Sequence, residues 1–304
     1  MSTPAKGTEA ALPLNWVPVK RSWRQIRWKK MVGLLPALVI LLVFVISGLF
    51  APVLAPHDPD KIALVDRLRP PAWEEGGGWS NALGTDQLGR DILSRIISGA
   101  RISLLVVFIT IPLSAVIGTT IGLAAGWRKG GIDSALMRLV DIQLALPAIL
   151  FAVLIASVYG ANLRNVILVI VVWSWASYAR LVRGEVLSLR ERDFVVAAKA
   201  CGATDIRILV RHLFPNLLNI IVILATLEVA IVILIESALS FLGIGVSPGT
   251  PSWGAMVSEG RNYMDIAWWL IWLPGIAILL ITLTGNLMGD WLRDALDPRL
   301  KNLR

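Results

Sequence analysis

Uninterrupted apolar runs of about 20 or more residues recur along the sequence, and runs of that length constrain the fold more than any other feature. At roughly 1.5 Å per residue, such a run coiled as a helix crosses a hydrocarbon core of about 30 Å. In lipid only helices and closed barrels satisfy their own backbone groups. With 56% of the 304 residues apolar and only 16% charged, against about a quarter charged in soluble domains, the chain reads as an all-α membrane protein. The runs lie near 32–54, 102–125, 134–158, 165–182, 216–242 and 266–289, so six transmembrane helices are expected, with both termini on one side.

Most of the 29 Lys and Arg residues fall on the side of the N-terminus, which predicts cytoplasmic N- and C-termini. The first run follows a basic cluster (Lys20, Arg21, Arg24, Arg27, Lys29, Lys30) and is longer than the apolar core of a signal peptide, so it reads as an uncleaved anchor. The expected divisions are a basic cytoplasmic tail over 1–31, the anchor helix over 32–54, an outer segment over 55–100, the main transmembrane domain over 101–290 and a cytoplasmic tail over 291–304. The net charge of +8 lies beside apolar spans, where it meets anionic lipid headgroups, and it forms no aromatic-interleaved surface for nucleic acid. One cysteine, Cys201, and two histidines exclude an intrachain disulfide, a thiolate cluster and a histidine-rich metal site.

In the outer segment Leu88, Ile92, Leu93, Ile96 and Ile97 share one helical face, with Arg90, Asp91, Ser94 and Arg95 largely elsewhere; an amphipathic helix along the interface is expected. Gly118, Gly122 and Gly126 recur every four residues in the second run, and Gly285 and Gly289 repeat the spacing in the sixth, a pattern that lets helix backbones approach closely within one bundle. Glu228 and Glu236 share a face of the fifth run and should turn away from lipid, toward a partner helix or a water-filled path. Asp141 follows Arg138 by one turn and can pair with it locally. These acids and Asn286 are the candidate intramembrane polar positions.

Between the fourth and fifth runs, residues 183–215 read as two short helices projecting into the cytoplasm. The first ends at Cys201 with Gly202 as a left-handed cap, and Thr204 caps a second whose apolar residues are Ile206, Leu209, Val210 and Leu213. Arg190, Arg192, Lys199, Arg207 and Arg211 would make it a basic knob for a soluble partner, and Pro215 marks where the next span begins.

This loop carries a family resemblance. Val195, Val196, Ala197, Ala198, Lys199, Ala200, Gly202, Ala203, Asp205, Ile208 and Pro215 are similar to the EAA loop of ABC importer permeases, which docks into a groove of an ATPase subunit. Val196 stands where that loop usually has glutamate. The stretch from Leu83 through Gly84, Thr85, Asp86, Gly89, Arg90 and Asp91 to Leu104, the segment 236–243, the Trp253 motif and the Asp297 motif resemble the C-type permease subunit of dipeptide, oligopeptide and nickel importers. The resemblance implies a type I ABC importer permease fold with cytoplasmic coupling helices in a bacterial inner membrane. It also implies one half of a pore for short peptides, with a B-type permease, two cytoplasmic ATPases and a periplasmic solute-binding protein as partners. Motion of the loop would then be levered into the spans through Pro215.

No GxxxxGK[ST] phosphate loop occurs, so ATP and Mg would be held by the partner ATPases, with no cofactor on this chain. No GxSxG or HExxH motif gives catalysis a foothold, and the chain is expected not to be an enzyme. The alternative reading is an ATP-independent secondary transporter or channel that uses Glu228 and Glu236.

Overall fold

The computed structural model of the chain describes residues 23–247 and 249–296, and the side chains from Leu34 onward. Most of the expected N-terminal tail, and Asp297 with the residues that follow it, lie outside the described residues. Among the described residues the architecture is all-helical, with one isolated bridge between Thr85 and Asp91.

Helix α1, Trp23–Leu49, stops where Phe50 leaves helical geometry, and a single turn with proline at its start, α2 (Ala51–Leu54), follows. Within α1 the described apolar stretch is Leu34–Leu49. After an irregular stretch, α3 runs unbroken over Ile92–Arg128, capped by the Asp91 carboxylate, which accepts from the Ser94 N–H. Helices α4 (Gly130–Ala145) and α5 (Ala148–Tyr159) meet at 83°. Pro147 causes the break, because it forces Leu146 before it out of the helical region (ψ 124°). Then come α6 (Leu163–Leu189), the short α7 (Asp193–Ala200) and α8 (Asp205–Ile208), a π turn over Leu209–Leu213, and α9 (Phe214–Phe241). Helix α10 (Trp253–Gly260) and α11 (Trp269–Leu296) complete the chain.

Among the described residues four helices are long and apolar enough to cross a membrane, counting α8 through α9 as one rod over Asp205–Phe241, and five if α4 and α5 make one crossing. The expected count of six is not matched exactly among the described residues, where α1 enters with Leu34–Leu49 alone and the third run is bent. The expected interfacial helix is also corrected. Residues 85–91 form a tight turn, and Ile92 onward is the first part of α3 itself. Its polar side, Arg90, Asp91, Ser94 and Arg95, is the buried side, because these groups pair with one another and with α10.

The glycines make the tightest seam. A Cβ on Gly118 would sit 2.3 Å from the Trp175 carbonyl oxygen of α6, one on Gly122 2.6 Å from the Ala179 carbonyl, and one on Gly126 2.8 Å from the Val186 side chain. A Cβ on Gly289 would come 2.5 Å from Leu227 of α9, so both stripes serve packing within the chain. Two ion pairs hold α4 to α6. Arg183 forks onto Asp133 at 2.6 and 2.7 Å, and Arg180 pairs with Asp141. The expected Arg138–Asp141 pair is thus replaced by a cross-helix one, since α6 offers a guanidinium where the local turn leaves Arg138 in the open. Arg183→Lys, which cannot fork, is expected to cost about 1 kcal/mol, read as a small drop in the thermal midpoint of the detergent-purified protein.

Candidate functional site

The two-helix handle forms as its sequence dictates. Gly202 takes φ +75°; the N–H of Gly202 donates to the Lys199 carbonyl and that of Ala203 to the Ala198 carbonyl, the paired bonds of a Schellman ending. The Thr204 hydroxyl then accepts from the Arg207 N–H at 3.4 Å. Val195 and Ile208, one from each short helix, are fully buried against Leu213, Leu217 and Trp127, so the handle has its own core continuous with the spans.

Outward, Val196, Ala197, Lys199, Ala200, Gly202 and Asp205 are exposed. A recess of about 540 Å³ opens between the short helices, lined by Phe194, Ala197, Cys201, Ala203, Arg207 and Arg211 among others. Pro215 lies in the first turn of α9 and does not interrupt the rod. The second helix differs from its expected phase: Ile206 (75% exposed) and Val210 (63%) face outward, and the buried row is Ile208, Leu213, Leu217 and Ile221. The π turn inserts a five-residue step and rotates the face. Arg190 departs from the expected knob as well, turning inward to donate to the carbonyls of Gly126 and Trp127, each at 2.9 Å. Beside it the Lys129 ammonium, 3.1 Å away, holds the Glu191 carboxyl below its ordinary carboxylate range.

Inside the bundle Glu228 and Glu236 are buried on one face of α9, away from lipid. Glu236 accepts from the Ser240 hydroxyl at 2.9 Å, and Glu228 lies next to the Tyr178 hydroxyl of α6. Asp141 and Asn286 are exposed on α4 and α11, so the structure does not gather the four polar positions into one cluster.

At the end of the bundle where α3 begins, the motif residues make a knot. Gly84 and Gly89 take positive φ, and a Cβ on Gly89 would lie 1.9 Å from the Ala63 carbonyl oxygen. The Thr85 hydroxyl donates to the Asp66 carbonyl, and the Trp269 indole donates to the Thr85 carbonyl at 3.1 Å. The Asp86 carboxylate accepts from Arg90 Nε at 2.6 Å and from Arg95. Both guanidiniums also reach Glu259 of α10, at 2.7 and 3.0 Å. The Trp253 indole donates to the Ile96 carbonyl at 2.9 Å, closing α10 onto α3. Glu259, Arg95 as a buried charge, and Trp127 escaped the sequence reading. For Glu259 there was a signal, since it is the only charge within 251–260.

Residues 118–302 match the family described as binding-protein-dependent transport system inner membrane component, and residues 18–71 match the N-terminal TM domain of oligopeptide transport permease C. The di/tripeptide transport system permease protein DppC of Pseudomonas aeruginosa is 44% identical, over 94% of this chain and 93% of its own length. The dipeptide transport system permease protein DppC of Haemophilus influenzae is 42% identical, over 93% of this chain and 96% of its own. Among solved structures, an inward-facing form of the MetNI methionine ABC transporter superposes with a TM-score of 0.52 at 19% identity, over 66% of this chain and 97% of that one, a likeness of fold.

Proposed function

Since the chain belongs to the family of binding-protein-dependent transport system inner membrane components, and is the C-type permease of a peptide ABC importer by its relatives, we propose that it forms half of a pore for short peptides. The observation that carries the mechanism is the handle: a capped two-helix knob whose second helix continues without a break into α9. A partner that moves α7 and α8 therefore moves α9 as a rod, because π-helical bonding over Leu209–Leu213 and the N-terminal position of Pro215 leave no hinge between them.

On this reading the exposed residues around Val196, Ala197, Ala200 and Gly202 dock onto a cytoplasmic ATPase subunit, which holds ATP and Mg. A B-type permease supplies the other half of the pore, and a periplasmic solute-binding protein delivers the peptide. The Lys and Arg distribution supports cytoplasmic termini in the bacterial inner membrane, and with them the handle on the ATPase side. The domain of 101–290 then carries the pore, with α1 as its flanking anchor. Glu228 and Glu236 sit in the interior as candidate positions along or beside the path. Glycine and left-handed geometry at 202 keep the corner open for docking, with nothing within 4 Å of where a Cβ would stand.

The test uses the exposed cysteine of the handle, the only one in the chain. The chain is tagged, extracted in mild detergent and analysed by mass spectrometry, and Cys201 is challenged with a maleimide. The expected result is co-purification of two ATPase chains and a second permease, with Cys201 labelling several-fold slower in the complex than after the ATPases are stripped. A chain that emerges alone or as a homo-oligomer, with Cys201 equally reactive throughout, would overturn the reading in favour of an ATP-independent transporter.

A further inference from the structure

The handle meets the bundle at a second place, the junction of α3 and α6, in a core that also holds Leu217 and Ile221 of α9. Helix α3 ends at Lys129 with φ +52°, and its last carbonyls have no partner within the helix. Two of them, on Gly126 and Trp127, accept from Arg190 Nη1, which arrives from the end of α6 and places positive charge where the helix dipole favours it. The Arg190 guanidinium lies 5.7 Å from the centre of the Trp127 ring, and the Lys199 ammonium, from α7, lies 4.7 Å from it. Lys129 pairs with Glu191 across the same junction. Trp127 is only 9% exposed and shares its core with Val186 of α6, Val195 of α7 and Ile208 of α8. One side chain thus touches the end of α3, the end of α6 and the handle.

We propose that Trp127, carrying the Arg190 and Lys199 cations on its ring, is the positioning residue that makes the handle and the α3–α6 pair move as one body. The inference rests on the importer reading and deepens it. Residues 190–192 alone are a short turn that would let α7 swing without carrying α6 along; the indole removes that freedom. Above the junction, the glycine seam at 118, 122 and 126 leaves α3 no room to slide on α6. A displacement of the handle is then delivered along α3 to its far end, where Asp86, Arg95 and Glu259 meet, beside the route through α9.

Two variants separate this role from simple filling of space. Trp127→Leu keeps an apolar side chain in the core but removes the π face, and Trp127→Phe keeps a face. In the assembled transporter reconstituted in liposomes, uptake of radiolabelled dialanine per ATP hydrolysed should fall about tenfold for Trp127→Leu, with ATP hydrolysis itself largely kept, and should recover for Trp127→Phe. Spin labels at Arg128→Cys and Arg192→Cys, with Cys201→Ser, give a second readout. Their distance distribution should be narrow and the same with ADP or ATP, and should broaden in Trp127→Leu. Coupling equal to wild type in Trp127→Leu, or a label distance that changes with nucleotide in the unsubstituted junction, would overturn the proposal. Uptake of dialanine without ATP would instead count against the importer reading, and the width of the distance distribution then decides the junction by itself.

Discussion

Asp86→Asn is expected to cost about 3–5 kcal/mol, because it leaves two buried guanidiniums with a single carboxylate. Asp86 and Arg95 have 3% and 1% of their side chains exposed, and Glu259, at 29%, is the only other acid in the cluster. In the native cluster two acids balance two bases; in the variant one positive charge is left over where water cannot reach it. The loss should appear as a thermal midpoint lowered by about 10 °C in the detergent-purified protein. Added salt should restore little of it, since screening acts weakly on buried charge. Adding Arg95→Met to Asp86→Asn restores neutrality and should recover part of the loss. A double variant worse than the sum of its parts would show that volume rather than charge dominates. Glu259→Gln should be milder, as water already reaches that carboxylate.

Gly118→Val is expected to be damaging for a different reason. Its Cβ would lie 2.3 Å from a backbone oxygen and 2.4 Å from the Cβ of Tyr178, and neither can be moved without moving α6. Overpacking of this kind costs about 1–3 kcal/mol, and a branched side chain against fixed backbone belongs at the top of that range. The separated helices would also lose the contacts at Gly122 and Gly126, so the chain should accumulate poorly in the membrane and resist purification as a single species. Gly184→Ala, in α6 with nothing within 4 Å, is the control and should leave yield and thermal midpoint unchanged or slightly higher. Equal behaviour of the two variants would mean that α3 and α6 are not sealed along this line.

What the sequence disclosed was local or periodic. The Gly202 and Thr204 corner needs only a left-handed residue and a hydroxyl three positions before an N–H. The glycine stripes and the shared face of Glu228 and Glu236 follow from helical spacing alone. What it hid was remote. Arg95 reaches Glu259 across 164 positions and Asp141 reaches Arg180 across 39, and no periodicity records such a partner. Reading Leu88 to Ile97 by its apolar face assumed that the polar face met water. The pairing of Arg90 and Arg95 with two acids reversed that assumption, because charge buried with its counter-charge is no longer a solvent-facing signal. Pro147 did stand in plain view in the middle of an apolar run, but a run long enough to cross a membrane masks the break within it.

That break carries an obligation of its own. Where α4 turns into α5 by 83°, the chain gives up the continuous ladder of amide bonds that makes a helix tolerable in hydrocarbon, and Leu146, Pro147 and Ile149 stand on the surface of the isolated subunit. Each stranded peptide group facing acyl chains would cost several kcal/mol. This patch is therefore the part of the subunit least compatible with acyl chains: at membrane depth it calls for a neighbouring polypeptide or a column of water in place of lipid.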